Sequence, residues 1–462
     1  MIPFTVDEIA ILLGASAPTD ARGVAVRGLS TDSRSTAPGD LFVALDGPNF
    51  RGRDFVEAAF ERGAVAAVAT PAAAAGPGVA AGPVIDVADG HDALGTLGAA
   101  IRARLDVPVV AITGSVGKTT TKDATAALLA SRLRVVAAPA SFNNRIGVPL
   151  TLARAEARTE ALVLELGTSL PGEIARLTAL ARPTLAVVTA VAASHLEGLG
   201  SIEGVLEEKL SIASGLVPGG VLLVNGDDSR LAARAEGLGA RRYGLGEDCE
   251  IRAHDARWDA REVAFRLSPG GPVVRAPLAG RHNLSNLLAA AAIARELGLS
   301  EDEIAVAAPT LRGPRLRWQR ETRPLRSGGE FELVLDCYNA NPASMRAALE
   351  TFAADASPRG RWLVLGDMAE LGATAVEAHR ELGRSLVDYP ARGILFVGAA
   401  MAEAARSHLE AGGKGGVAVA DRDGIGLALA ELGAPAAGEA VLVKGSRSMA
   451  LERAFETGGP SR

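Results

Sequence analysis

The chain has 462 residues, 48% hydrophobic and 22% charged, with a net charge of −6. That length exceeds one core and implies roughly three domains, while the acidic balance and a pI near 5.7 argue against nucleic acid as a partner, since polyelectrolyte binding needs a basic face. Its two cysteines, Cys249 and Cys337, lie too far apart for metal-ligand spacing, and nothing reads as a leader or a charge-free apolar span, so a cytoplasmic monomer with no membrane partner is expected.

Thr5 to Ala10 reads as a short capped helix, and Leu41 to Leu45 and Ala64 to Ala69 as short buried strands. These make a small α/β unit over residues 1–87. Within it, Ser30-Thr31-Asp32-Ser33-Arg34 suits either a site for a phosphorylated ligand or a capped turn. The Ala/Gly/Pro stretch from Thr70 to Pro83 reads as a surface loop before a last strand, Val84 to Val87. A helix from Asp92 to Leu105 leads into the next unit.

Val109 to Thr113 is an apolar strand that breaks into Gly114-Ser115-Val116-Gly117 and then Lys118-Thr119-Thr120-Thr121. The glycines let backbone N–H groups face an anion, the helix start adds positive potential, Lys118 reaches phosphate oxygens, and Thr119 suits Mg²⁺. ATP is the expected ligand. Ile112 stands where a full Walker loop has glycine. Apolar strands then alternate with amphipathic helices, at Ala161 to Leu166, Leu185 to Thr189 and Val221 to Asn225, which predicts a mostly parallel sheet covered by helices. Glu165 closes the first of these strands, at the edge where such sheets present ligands, and suits a metal. His195 follows the second as a candidate second-metal ligand. Lys209, in Glu207-Glu208-Lys209, reads by spacing alone as a charge on a solvated helix face. Cys249 to Leu278 alternates in short polar and apolar steps around Ser268-Pro269-Gly270-Gly271, an antiparallel appendage. His282 and Asn283 stand at a helix start, where they suit adenine or, for Asn283, an N-cap. This central unit ends near Arg312.

The third unit has strands at Phe331 to Leu335, Trp362 to Leu365, Gly393 to Val397 and Ala440 to Val443. Asp336, Tyr338, Asn339 and Asn341 crowd into a loop after the first of them, ended by Pro342, and favour a binding loop over turn chemistry alone. Lys444 and Arg447 follow the last strand and suit a substrate carboxylate. The expected fold is α/β in three domains: a small α/β unit over 1–87, a P-loop ATPase unit over 88–312 and a Rossmann-like unit over 313–462.

Together these segments resemble the Mur ligases. Thr113 to Thr121 resembles that family's ATP loop and Asn143-Asn144-Arg145-Ile146-Gly147-Val148-Pro149 the segment after it. His195-Leu196-Glu197-Gly198 with Lys209 is similar to its metal and modified-lysine stretch. Tyr338 to Pro342, Leu365-Gly366-Asp367-Met368 with Glu370-Leu371-Gly372, and Lys444-Gly445-Ser446-Arg447 resemble the branch that adds D-alanyl-D-alanine. The resemblance implies an amide ligase that uses ATP and two Mg²⁺ to join this dipeptide to UDP-N-acetylmuramoyl-tripeptide through an acyl phosphate. It implies ATP contacts from Gly114 through Thr120, adenine at His282 and Asn283, ribose at Asp336 and phosphates at Arg315. It also implies metal at Thr119, Glu165, His195 and a carbamylated Lys209, and the UDP-sugar at Ser30, Asp32, Ser33 and Arg34. Arg53, Ser169, Leu170, Ala190, Ser211, Pro314, Leu335 and Cys337 depart from the family pattern. A GTPase would show an Asn-Lys-x-Asp base-reading motif, which is missing, and a folylpolyglutamate synthase would lack the Tyr338 and Lys444 loops.

Overall fold

The computed structural model describes residues 1–71, 82–325 and 328–456, so most of the expected Thr70 to Pro83 loop lies outside the described residues. The first sheet has four parallel strands in chain order: Gly28–Ser30, Asp40–Val43, Ala66–Ala69 and Val84–Asp86. The entry helix Val6–Leu12 begins on a capping box, in which Thr5 Oγ1 accepts from Glu8 N at 3.3 Å and Glu8 Oε2 accepts from Thr5 N at 2.8 Å. Such a cap is worth about 1 kcal/mol.

The central sheet has seven strands, all parallel. Val109–Thr113 lies inside it, between Leu185–Val188 on one side and Ala161–Glu165 on the other. From Val109–Thr113 the chain runs first to one side of the sheet and later to the other, so the strand order reverses at its carboxyl end, where doubly wound sheets hold ligands. Both Val109–Thr113 and Ala161–Glu165 are buried throughout, and Val109, Val110 and Ile112 each contribute about 1.5–3 kcal/mol by burial. One face of this sheet merges with the first: Val43, Val68, Leu94, Leu97, Val109 and Leu164 belong to a single core. The other face packs Val110 and Ile112 with Leu284 and Leu287 of the Arg281–Glu296 helix, which also lies along Lys118–Ala130. That helix starts after Gly280 rather than at Asn283, so the N-cap reading of Asn283 is corrected. The antiparallel appendage consists of His254–Trp258, Val263–Arg266 and Val274–Ala276.

The third sheet runs Glu330–Leu335, Ala440–Lys444, Arg361–Gly366, Gly393–Val397 and Gly416–Val419, all parallel. Gln319–Pro324 adds an antiparallel edge. The sequence reading missed two of these. Gln319–Pro324 is a polar edge strand steadied by ion pairs, Arg320 to Glu332 at 2.6 Å and Arg323 to Glu321 at 2.5 Å, and it carries no apolar alternation. Gly416–Val419 is a four-residue edge strand whose only buried residue is Val419.

Candidate active site

Gly114 has φ 144° and Gly117 φ 89°. A Cβ at Gly114 would run into Thr189 Oγ1, and one at Gly117 into Asn286 Oδ1, so glycine is needed for space as well as for conformation. No side chain caps the Lys118–Ala130 helix, which leaves its first N–H groups for an anion. Ser115, Val116, Gly117, Lys118 and Thr120 line a cavity of about 190 Å³, with His282, Asn283 and Asp336 also on its wall. Lys118 Nζ donates to Gly114 O at 2.6 Å, and burial lowers its pKa against the pull of Glu165. Burial pushes His282 down to about 4, so its ring is neutral at pH 7. Asn283 donates to Ala279 O at 2.8 Å and accepts from Asn286 at 3.1 Å.

A second cavity, of about 570 Å³, shares Lys118, Arg317 and Asn339 with the first and is also lined by Glu165, His195 and Tyr338. Asn143 Nδ2 donates to Glu165 Oε1 at 2.8 Å, while Glu165 Oε2 is buried without a partner. No group of three His, Cys, Asp or Glu side chains gathers as a metal cluster among the described residues. Mg²⁺ does not require one, because it takes one or two carboxylates and completes its shell with water and phosphate. The orphaned Glu165 oxygen and the Thr119 hydroxyl of the loop fit that donor set. His195, at φ 53°, brings Nδ1 to 2.5 Å from Glu370 Oε2. Burial lowers its pKa, opposed by Glu370.

Lys209 overturns its solvated-face reading. The Ile202–Leu210 helix turns it inward, where it is 0% exposed and its Nζ has no hydrogen-bond partner. Burial first and Lys118 second hold its pKa well below the ordinary lysine value. A free lysine at neutral pH is uncharged about once in a few thousand molecules; this environment favours the neutral amine that can react with CO₂.

Other expectations are redistributed. Arg315 is exposed and lines neither cavity. Arg317 lines both, donates to Thr119 Oγ1 at 3.1 Å and lies 4.5 Å over the Tyr338 ring. Leu316 and Trp318 flank it in left-handed conformations, φ 59° and 57°, each at a cost of about 1–2 kcal/mol. Leu and Trp give no sequence signal for such a kink. Lys444, expected to share a carboxylate with Arg447, is 1% exposed and donates to Asp336 Oδ2 at 2.7 Å on the smaller cavity. Arg447 stands on the larger one, so the expected pair is split. Asn341 caps the Pro342–Ala354 helix, accepting from Ser344 N at 2.8 Å, and faces the smaller cavity. Tyr338 OH bonds Ser141 Oγ at 2.5 Å. Ser30, Asp32, Ser33 and Arg34 line neither cavity; they form a turn in which Arg34 pairs with Asp32 at 2.7 Å. Asn143, in the Asn143-Asn144-Arg145 segment quoted above, gains its role only from its contact with Glu165. Arg317→Ala should raise the KM for ATP roughly 10- to 100-fold, the worth of a charged hydrogen bond, while Arg315→Ala stays within about twofold, as steady-state kinetics would register.

Three family models match in succession: "Mur ligase family, catalytic domain" over residues 25–102, "Mur ligase middle domain" over 112–294 and "Mur ligase, glutamate ligase domain" over 317–447. The chain is 35% identical to the UDP-N-acetylmuramoyl-tripeptide--D-alanyl-D-alanine ligase of Bacillus subtilis, over 89% of each chain. It is 34% identical to the Escherichia coli enzyme of that name, over 99% of this chain and 100% of the relative. Among solved structures it superimposes on MurF from Acinetobacter baumannii with a TM-score of 0.86, 29% identity and 98% of both chains covered. MurF from Thermotoga maritima in complex with ADP matches with a TM-score of 0.78 at 26% identity, covering 93% of this chain and 96% of the other. Likeness that runs from end to end in both sequence and structure means that the chain belongs to the Mur ligase family.

Proposed function

We propose that the chain is an ATP-dependent amide ligase that adds D-alanyl-D-alanine to UDP-N-acetylmuramoyl-tripeptide in cytoplasmic synthesis of peptidoglycan precursors, acting as a monomer. The observation that carries this reading is the wall shared by the two cavities. Lys118, Arg317 and Asn339 line both, so a γ-phosphate held by the loop in the smaller cavity faces a chamber that can receive the reacting ends of two further substrates.

The tripeptide carboxylate attacks the γ-phosphorus and ADP leaves, giving an acyl phosphate. The dipeptide ammonium loses a proton to solvent, its amine attacks the acyl carbon, and the tetrahedral intermediate expels inorganic phosphate, which carries off the second proton from nitrogen. Both steps gather negative charge, and Lys118 and Arg317 stand ready beside it. Mg²⁺, when bound, neutralises phosphate charge; Thr119 and Glu165 would hold one ion, and His195 with carbamylated Lys209 a second. His282 and Asn283 meet the adenine. Asp336, fixed by Lys444, meets the ribose. Residues 1–87, through Ser30, Asp32, Ser33 and Arg34, take the UDP-sugar, residues 88–312 the ATP, and residues 313–462 complete the nucleotide site and receive the dipeptide. Phosphate release measured with purified chain should require UDP-tripeptide and D-alanyl-D-alanine together; release indifferent to both would sink the reading.

A further inference from the structure

The third sheet offers a carboxylate that the steps above do not use. Glu370 is among the residues lining the larger cavity, and its φ of 61° is left-handed, a conformation that costs a non-glycine residue about 1–3 kcal/mol and persists where surrounding structure imposes it. Here the surroundings do so. His379 Nε2 accepts from Met368 N at 3.1 Å, Asp367 Oδ1 accepts from Met401 N at 2.7 Å, and Ala369 N donates to Ser446 Oγ at 2.8 Å. Ser446 N in turn donates to Asp367 O at 3.0 Å.

The last two bonds join two loops that leave adjacent parallel strands, Arg361–Gly366 and Ala440–Lys444. Each loop places its next residue on the larger cavity: Glu370 after Ala369, and Arg447 after Ser446. An anion and a cation thereby line one wall of the larger cavity without being paired to each other, Glu370 lying instead against His195. Arg447 leans on Glu452 at 2.7 Å through a single nitrogen, leaving further donors of its fork free. Glu370 keeps 54% of its side chain exposed.

We propose that Glu370 and Arg447 form a clamp for the two ends of a short zwitterion, Glu370 receiving the ammonium of the incoming dipeptide and Arg447 its carboxylate. The clamp rests on the ligase reading above and makes Glu370 the residue that selects a free amino terminus. It holds the amine end in the cavity that Lys118 and Glu165 also line, where the acyl phosphate forms.

The test compares wild type, Glu370→Gln and Glu370→Asp in two assays. One is steady-state turnover with D-alanyl-D-alanine, together with inhibition by the analogue carrying a hydroxyl in place of the ammonium. The other is acyl-phosphate formation from ATP and UDP-tripeptide without dipeptide, trapped by borohydride reduction. Glu370→Gln should raise the dipeptide KM roughly 10- to 100-fold and erase the preference for ammonium over hydroxyl, with Glu370→Asp intermediate and the trapped intermediate changed less than about threefold. If Glu370→Gln instead cuts the trapped intermediate as much as turnover and leaves the dipeptide KM unchanged, Glu370 acts through His195 and the clamp is wrong. A wild-type chain that turns over no dipeptide at all overturns the ligase reading and the clamp together.

Discussion

Lys118→Ala should abolish acyl-phosphate formation, lowering it by roughly 10³-fold or more, the range seen when a positioned cation is removed from a phosphoryl-transfer site. Among the described residues, Lys118 is the only lysine on the wall common to both cavities. Its ammonium, 2.6 Å from Gly114 O, lies against the backbone that would cradle the phosphates. Alanine keeps the helix, since it is the best helix former, and leaves the turn at Gly114 and Gly117 untouched. UDP-tripeptide affinity, measured by calorimetry, should therefore stay within about threefold while trapped intermediate disappears. Loss of UDP-tripeptide binding would mean that the loop and the sugar-nucleotide site are not the separate sites assigned here.

Substituting Lys209 should be nearly as severe and opposite in its effect on stability. Lys209→Met removes the amine proposed to carry CO₂, and turnover should fall about 10²- to 10³-fold, as for loss of one preorganised electrostatic group. The folded chain should not suffer. Burial lowers the Lys209 pKa, so between that lowered value and about 10.4 the unfolded chain binds the extra proton. Stability of the unmodified protein consequently rises with pH across that window, and the cost of the buried amine is full below it. Lys209→Met lacks this cost, so in CO₂-free buffer at neutral pH its melting temperature should equal or exceed that of the wild type. Wild-type activity in the same buffer should drop and return on adding bicarbonate, with the dependence steepest toward acid, where protonation withdraws the amine. Activity indifferent to CO₂ would end the carbamate proposal.

The architecture was largely legible because buried parallel strands announce themselves: Val109 to Thr113 and Gly393 to Val397 are apolar runs closed by glycine or polar residues. Edge strands were not, since Gln319–Pro324 is stabilised by partners across the sheet rather than by its own pattern. Within the site, Lys118 and Glu165 could be placed from local order, loop before helix and acid at a strand end. Lys209 could not. Whether a helical lysine faces water or protein depends on what packs over it, and Glu207-Glu208-Lys209 looks the same either way. That Arg317 rather than Arg315 reaches both cavities was hidden for a related reason, since the chain there carries two unusual backbone angles that Leu316 and Trp318 do not announce. The division of Lys444 from Arg447 depends on the reach of Asp336 across neighbouring strands, 108 residues away in sequence.

The core shared by the first and central sheets also bears on how the enzyme opens. Val43 and Val68 lie in the same apolar mass as Val109 and Leu164, so parting these sheets would expose hydrocarbon at about 25 cal/mol per Å². The third sheet's cores share no residue with that mass. Across this second joint run polar contacts, Tyr338 to Ser141, Arg317 to Thr119, Trp318 to Ala260 O at 3.1 Å and Glu370 to His195, and water can replace each at a net cost of about 0.5–1.5 kcal/mol, or about 1.5–3 kcal/mol where a charge is involved. The joint that costs less to part is therefore the one beside the third sheet. Swinging it would uncover both cavities at once, so that on the proposed reaction the loading of the amine and the departure of phosphate and ADP would be tied to a single motion.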